Sequence, residues 1–328
     1  MAKLRDLPLT DLYIGSDHIE YRDKPGAHAP RLVVPEEYRA DIEAVRAKCN
    51  ELFRDHRRYE FALPYDGVLY RVGVMDDVTF EPIFVLNRTP DELPPFDALG
   101  LPQYIERLLA DPSARGLVVF AGDQRQGKTT SATVSLVYRM VEVGTDALAL
   151  QDPIECNIGG MHGNYRLYLQ PVDGVTGYAK ASQRAMRFGM TTILYGEIRR
   201  GDHGGRSNAA PALDLAEAGC FILATTHGST IVDTLTRLVE MTSESMTDAN
   251  AARAALSKAL AAVVWQELER FSRPDGSQGI RVHTQVLDVT DPQDADAIRA
   301  TIKSGNFSQL PTLIQSQANR KLWSSNVL

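Results

Sequence analysis

Apolar positions along this chain follow two different periods. Tyr38, Ile42, Val45, Cys49 and Leu52 recur at steps of three and four, one face of a helix, and Pro35 suits its first turn. The segments Tyr59–Leu63, Val68–Met75 and Phe80–Leu86 are instead rich in aromatic and β-branched residues and predict strands, with Pro64-Tyr65-Asp66-Gly67 as a turn between the first two. Asp11–Ile14 and His18–Tyr21 read as short extended pieces around a Gly15-Ser16-Asp17 turn. The first part is therefore expected to be a small sheet with a helix packed on it.

Four prolines, at 90, 94, 95 and 102, interrupt Thr89–Pro102 and mark a linker. Beyond it the pattern alternates. Apolar runs at Leu117–Phe120, Ala147–Leu150, Thr192–Tyr195 and Phe221–Ala224 are interleaved with helical stretches at Lys128–Val143, Gly177–Phe188 and Ala209–Ala218. Strand and helix in turn imply right-handed crossovers and a mostly parallel sheet covered on both faces, an α/β class. The last part is expected to be mainly helical, over Ala251–Arg270 and Pro292–Lys303, around one strand at Ile280–Val286.

Composition narrows the function classes. With 35 Lys+Arg against 42 Asp+Glu the net charge is −7, so general attraction to polyanions is absent and a nucleic-acid role would need a local basic patch. Three widely spaced cysteines, Cys49, Cys156 and Cys220, suggest neither a disulfide framework nor a zinc ribbon, and are expected to be buried thiols in a reducing compartment. No signal-peptide pattern and no run of roughly 18–20 apolar residues is seen, so the expected location is cytoplasmic without direct membrane insertion.

One motif carries specific chemistry. Gly122-Asp123-Gln124-Arg125-Gln126-Gly127-Lys128-Thr129, followed by Thr130, matches G-x-x-x-x-G-K-[ST] between an apolar run and a helix. Its glycines let successive amides close around phosphate oxygens at a helix N-terminus. Lys128 would reach the β- and γ-phosphates, and Thr129 would offer its hydroxyl to Mg²⁺. Glu197, where the run Ile193-Leu194-Tyr195-Gly196 ends, is either a carboxylate that orients a water for attack on the γ-phosphate or a solvated loop-mouth residue.

The downstream motifs resemble the bacterial secretion and pilus motor ATPases, the GspE-like and PilT-like proteins of type II and type IV systems. Asp152-Pro153-Ile154-Glu155 resembles their Asp box, Gly196-Glu197-Ile198-Arg199 their Walker B, and Ala224-Thr225-Thr226-His227 their His box. Tyr70-Arg71-Val72 and Asn87-Arg88-Thr89-Pro90 resemble the segments whose arginines reach the nucleotide. Ala297–Gly305 with Gln309-Leu310-Pro311 resembles a PilT-type C-terminal segment, and the absence of a four-cysteine zinc module points to the PilT-like branch, which includes the DotB-like ATPases of type IVB secretion and conjugation.

The resemblance implies a PAS-like α+β domain over residues 1–95, a linker over 89–102 and a RecA-like P-loop domain over 103–328. It further implies a Mg²⁺-dependent, homohexameric ATPase docked on inner-membrane secretion or pilus platform proteins. Glu197, Arg71, Arg88, His227, Arg199, Glu155 and Asp152 would be catalytic, residues 122–130 would bind ATP, and Thr129 and Glu197 would hold Mg²⁺. Departures from the family pattern are Gln151 for a glutamate, Arg125 for a glycine, Arg200 for an aspartate, Phe188–Thr191 for an acidic stretch, Cys220 for a histidine, and a long loop at 201–205. They bear on turnover more than on binding, and leave open an ATP-gated scaffold that hardly hydrolyses. A RecA-like motor on nucleic acid is disfavoured by the charge.

Overall fold

A computed structural model of the protein describes residues 2–24, 29–56, 58–90, 92–201, 205–272 and 278–324. The chain divides into two compact units, one of Met1–Glu92 with Pro153–Ile158, the other of Leu93–Asp152 with Gly159–Leu328.

The first unit is an antiparallel sheet with one long helix. Its elements are β1 (Asp11–Ile14), β2 (Ile19–Arg22), β3 (Leu32–Val33), α1 (Glu36–His56), β4 (Glu60–Tyr65), β5 (Val68–Asp76) and β6 (Pro82–Arg88), in sheet order β3-β2-β1-β6-β5-β4. Ile42, Val45 and Cys49 of α1 share a core with Leu12, Tyr70, Val72, Phe84 and Leu86 of the sheet. Glu36 and Glu37 occupy the first turn of α1, where carboxylates suit the helix dipole. Two local expectations are corrected. Pro64 and Tyr65 belong to β4, and the turn is only Asp66-Gly67, with φ of 48° and 80°, the left-handed pair a two-residue hairpin needs. Phe80 also has positive φ, 62°, and lies in the following turn, so β6 starts at Pro82.

The second unit is built on an eight-stranded sheet. After α2 (Gln103–Ala110) come β7 (Gly116–Gly122), α3 (Lys128–Val143), β8 (Ala147–Gln151), β9 (Gly160–His162), β10 (Tyr165–Pro171), α4 (Gly174–Arg187), β11 (Thr192–Glu197), α5 (Ala209–Glu217) and β12 (Phe221–His227). Then follow α6 (Ile231–Ser243), α7 (Ala249–Ala259), β13 (Leu260–Ser272), β14 (Gln278–Asp288), α8 (Ala295–Ser304) and α9 (Leu310–Ser324). The order is β14-β13-β7-β12-β11-β8-β10-β9, parallel except for the outer pairs β13/β14 and β10/β9.

β7 lies inside this sheet and every one of its residues is buried. Covering Leu117, Val118, Val119 and Phe120 contributes roughly 1.5–3 kcal/mol for each side chain. α3 stops at Gly144, whose φ of 76° lets its amide reach the Met140 carbonyl.

The helix expected over Ala251–Arg270 is wrong in its second half, which is β13. Residues Leu260 to Val264 are buried on both faces because β13 lies between β7 and β14. A continuous apolar run of this kind has no alternation, so periodicity alone does not separate it from a buried helix. The C-terminal part is accordingly a two-stranded extension of the sheet packed with helices. The hairpin β9–β10 and helices α2, α6 and α9 were not anticipated.

Candidate functional site

The parallel strands bring their C-terminal ends to one edge of the second unit. β7 ends at Gly122, β8 at Gln151, β11 at Glu197 and β12 at His227, and Gly122 lies directly opposite His227 in the ladder. Such an edge is where open α/β sheets hold ligands.

The expected phosphate loop leaves β7 at Gly122 and enters α3 at Lys128. Gly127 has φ of 74°, and Arg125, where a glycine is usual, also adopts a left-handed φ, 61°. A Cβ on Gly122 would lie 2.4 Å from the Gln266 carbonyl oxygen. The position therefore requires glycine both for its φ of 151° and for this close approach. Lys128 is buried, and its Nζ donates to the Asp123 carbonyl at 2.6 Å and lies 3.4 Å from His227 Nδ1.

His227 joins two of the expected residues. Its Nε2 is 3.0 Å from Glu197 Oε1, on the opposite side of the ring from Lys128. Burial first, and then the Lys128 ammonium, hold the imidazole below its ordinary pKa, against the pull of Glu197. A neutral ring with Nδ1 accepting from Lys128 and Nε2–H donating to Glu197 satisfies all three groups.

Asp152 and Arg199 form a second pair, with Arg199 Nη2 3.0 Å from Asp152 Oδ2. The same oxygen accepts the Gly174 amide at 3.0 Å, at the start of α4. Glu155, three residues along, falls in the first unit, where its Oε1 is 3.5 Å from Arg71 Nη1, while Arg71 Nη2 lies 3.0 Å from Glu60. The D-P-I-E motif thus divides its two carboxylates between the units. Arg88, also in the first unit, donates to the Arg5 carbonyl at 3.1 Å.

The departures have their own partners. Gln151 is buried at the end of β8. Arg200 turns to the C-terminal end of α6, where its Nη2 lies 3.4 Å from Glu240 and its Nε meets Glu244, the residue just after the helix, at 2.7 Å. Cys220 is buried, and Phe188 is exposed. Of the loop 201–205, residues 202–204 lie outside those described.

One residue that sequence reasoning missed organises the Gly196–Arg199 segment. Asn208 is fully buried; its Oδ1 accepts the Arg199 amide at 2.9 Å and its Nδ2 donates to the Glu197 carbonyl at 2.8 Å. Its carbonyl accepts the Tyr195 hydroxyl at 3.0 Å. The β11/β12 register shifts between Tyr195 and Glu197, so Asn208 holds the segment where the ladder is irregular. Its position just before α5 was the available signal, but asparagine there reads as an ordinary cap. Gly196 is equally constrained, since a Cβ would lie 2.5 Å from the Tyr178 hydroxyl.

Among the described residues no cluster of three or more His, Cys, Asp or Glu side chains could hold a metal by itself. Thr129 and the partly exposed Glu197 supply one hydroxyl and one carboxylate. That oxygen set suits Mg²⁺, which takes few protein ligands and keeps water and phosphate oxygens.

The family model described as type II/IV secretion system protein matches residues 95–326. The chain belongs to this family. Among relatives, it is 28% identical over 234 residues to YggR of Escherichia coli, covering 70% of this chain and 65% of that protein. To the type IV pilus ATPase PilU of Pseudomonas aeruginosa it is 29% identical over 220 residues, covering 66% and 53%. It thus spans between about half and two thirds of these relatives' length. The solved pilus retraction motor PilT with bound ADP superposes with a TM-score of 0.73 at 21% identity, covering 96% of this chain and 90% of that one. DotB of Legionella pneumophila gives 0.70 at 16%, covering 94% and 85%. These likenesses establish the fold, an N-terminal unit followed by a RecA-like core. No helix among the described residues is long and apolar enough to cross a membrane.

Proposed function

We propose that this secretion-family protein is a Mg²⁺-dependent ATP hydrolase acting in a homohexameric ring that powers a type IV secretion, conjugation or pilus machine from the cytoplasmic face of the inner membrane. The observation that carries the reading is the Lys128–His227–Glu197 line across the C-terminal ends of β7, β12 and β11. It puts a phosphate-binding ammonium, a neutral imidazole and a carboxylate on one strand edge, the parts required to bind a triphosphate and orient a water.

In this reading the amides of residues 122–130 bind the phosphates, and Glu197 accepts the proton of the attacking water. His227 senses the γ-phosphate, being bonded to both neighbours. Mg²⁺, held through Thr129 and Glu197, would neutralise charge on the phosphates. Asp152 and Arg199 hold one another beside the Walker B turn, and catalytic roles for Arg71, Arg88 and Glu155 are proposed on the strength of their sequence motifs alone. Platform proteins would be the membrane partners, and nucleic acid is not expected among the ligands.

Phosphate release from the purified protein, against Lys128→Ala and Glu197→Gln, tests the chemistry. Each variant is expected to lose roughly 10²–10⁴-fold, and equal release from all three would overturn it. Light scattering with and without ATP tests the ring, which a monomeric mass in both conditions would refute. A second reading, an ATP-gated scaffold, is favoured by the neutral, buried Gln151 where the family has a carboxylate; ATP-dependent assembly without phosphate release would select it.

A further inference from the structure

The phosphate loop is tied to β13 by two glutamines. The last β7/β13 ladder pair is Ala121 with Trp265, after which the loop leaves the sheet. Beyond that point Gln266 Nε2 donates to the Gln126 carbonyl at 2.5 Å, and Gln126 Oε1 accepts the Leu268 amide at 2.7 Å. Each glutamine side chain thus replaces a backbone bond the departing strand would have made. Gln266 is 1% exposed, and its Oε1 has no hydrogen-bond partner, so the Gln126 carbonyl, which can only accept, fixes the amide's orientation. Gly127 packs against the same strand, where an added Cβ would meet Leu268 Cδ1 at 3.3 Å and Gln266 Nε2 at 3.4 Å.

We propose that Gln126 and Gln266 are positioning residues that hold the phosphate loop in its anion-binding shape by bracing it on β13. The proposal rests on the nucleotide-binding reading. The brace uses the Gln126 carbonyl and side chain, which turns them to β13 and away from the phosphates, and it leaves the loop amides to the ligand. The Gln126 side chain therefore acts through the loop and does not touch the nucleotide. Because β13 and β14 form one antiparallel hairpin along Ala262–Ser272 and Gln278–Asp288, any displacement of that hairpin reaches the loop through these two bonds.

The test combines amide hydrogen exchange over residues 120–130 with calorimetric titration of MgADP, on the full chain and on Gln126→Ala, Gln126→Glu and Gln266→Met. One net hydrogen bond corresponds to roughly 2- to 12-fold in an equilibrium. Gln126→Ala and Gln266→Met are each expected to speed loop exchange and weaken MgADP by about that factor, with a melting-temperature loss of no more than roughly 2–6 °C. Gln126→Glu keeps the acceptor for Leu268 and should retain the parent's loop protection. Parent-like exchange in both Gln126→Ala and Gln266→Met would overturn the brace, as would a general rise in exchange across the unit. Should the parent itself not bind MgADP, the nucleotide reading fails and the exchange arm still decides the brace.

Discussion

Replacing Asn208 with alanine should be among the more damaging single changes in the second unit. The side chain is fully buried and makes two bonds to backbone groups at the end of β11, at 2.9 Å to the Arg199 amide and 2.8 Å to the Glu197 carbonyl. A buried backbone group left unpaired costs about 1–3 kcal/mol, so two cost about 2–6, and water entering the space brings the expectation to about 3 kcal/mol. In a domain of this size that corresponds to a melting-temperature drop of roughly 6–12 °C. Asn208→Asp has nearly the same volume and keeps the acceptor for Arg199, but sets an oxygen against the Glu197 carbonyl; it should lose at least as much as alanine. Urea unfolding followed by fluorescence, with the slope checked for constancy, measures both. If both variants stay within about 0.5 kcal/mol of the parent, the reasoning is refuted. On the proposed hydrolase reading there is a second readout: kcat should fall more than KM rises, because the loop at Gly122–Lys128 is untouched.

Other consequences follow from buried groups. Arg139 is 2% exposed, its guanidinium donates to the carbonyls of Leu109, Asp111 and Ala114, and it stacks over Phe221 at 3.8 Å; Arg139→Met should lose about 3 kcal/mol by urea unfolding, and a loss below about 1 would contradict this. His227 is held below its ordinary pKa, near 6.5, so the unfolded chain binds its proton more readily than the native one; its contribution to stability is complete above about pH 6.5 and is lost as pH falls below that value. His227→Gln should flatten this part of the pH profile of the urea midpoint, and an unchanged slope would argue against it. Burial pushes the Cys49 thiol up to about 12 and Cys156 up to about 11, and raises Cys220, so alkylation of the native protein by iodoacetamide at pH 8 should be slow at all three, as mass spectrometry would show.

Some features are legible because their signal is local. Lys128–Val143 coincides with α3, since a glycine-bounded apolar period needs no distant partner to declare itself. The motifs at Gly122–Thr129 and Gly196–Arg199 are visible because the chemistry expected of each would require particular residues at a fixed spacing. β13 was misread for the opposite reason: its apolar run takes its form from being sandwiched between β14, its hairpin partner, and β7, which lies some 140 residues earlier in the chain. The short β9 at Gly160–His162 carries too few residues for any period and exists by pairing with β10.

The sequence by itself therefore determined the family and the alternating α/β order, and offered Gly122–Thr129 as a phosphate-loop motif, because each of these signals depends on neighbours within a few turns of chain. Tertiary structure alone decided that Lys128, His227 and Glu197 meet, that Asp152 and Glu155 part into separate units, and that Asn208 and Gln266 hold the loops that carry the site. These last are properties of strand register and of buried amides, whose partners lie as far as 140 residues along the chain and leave no local mark.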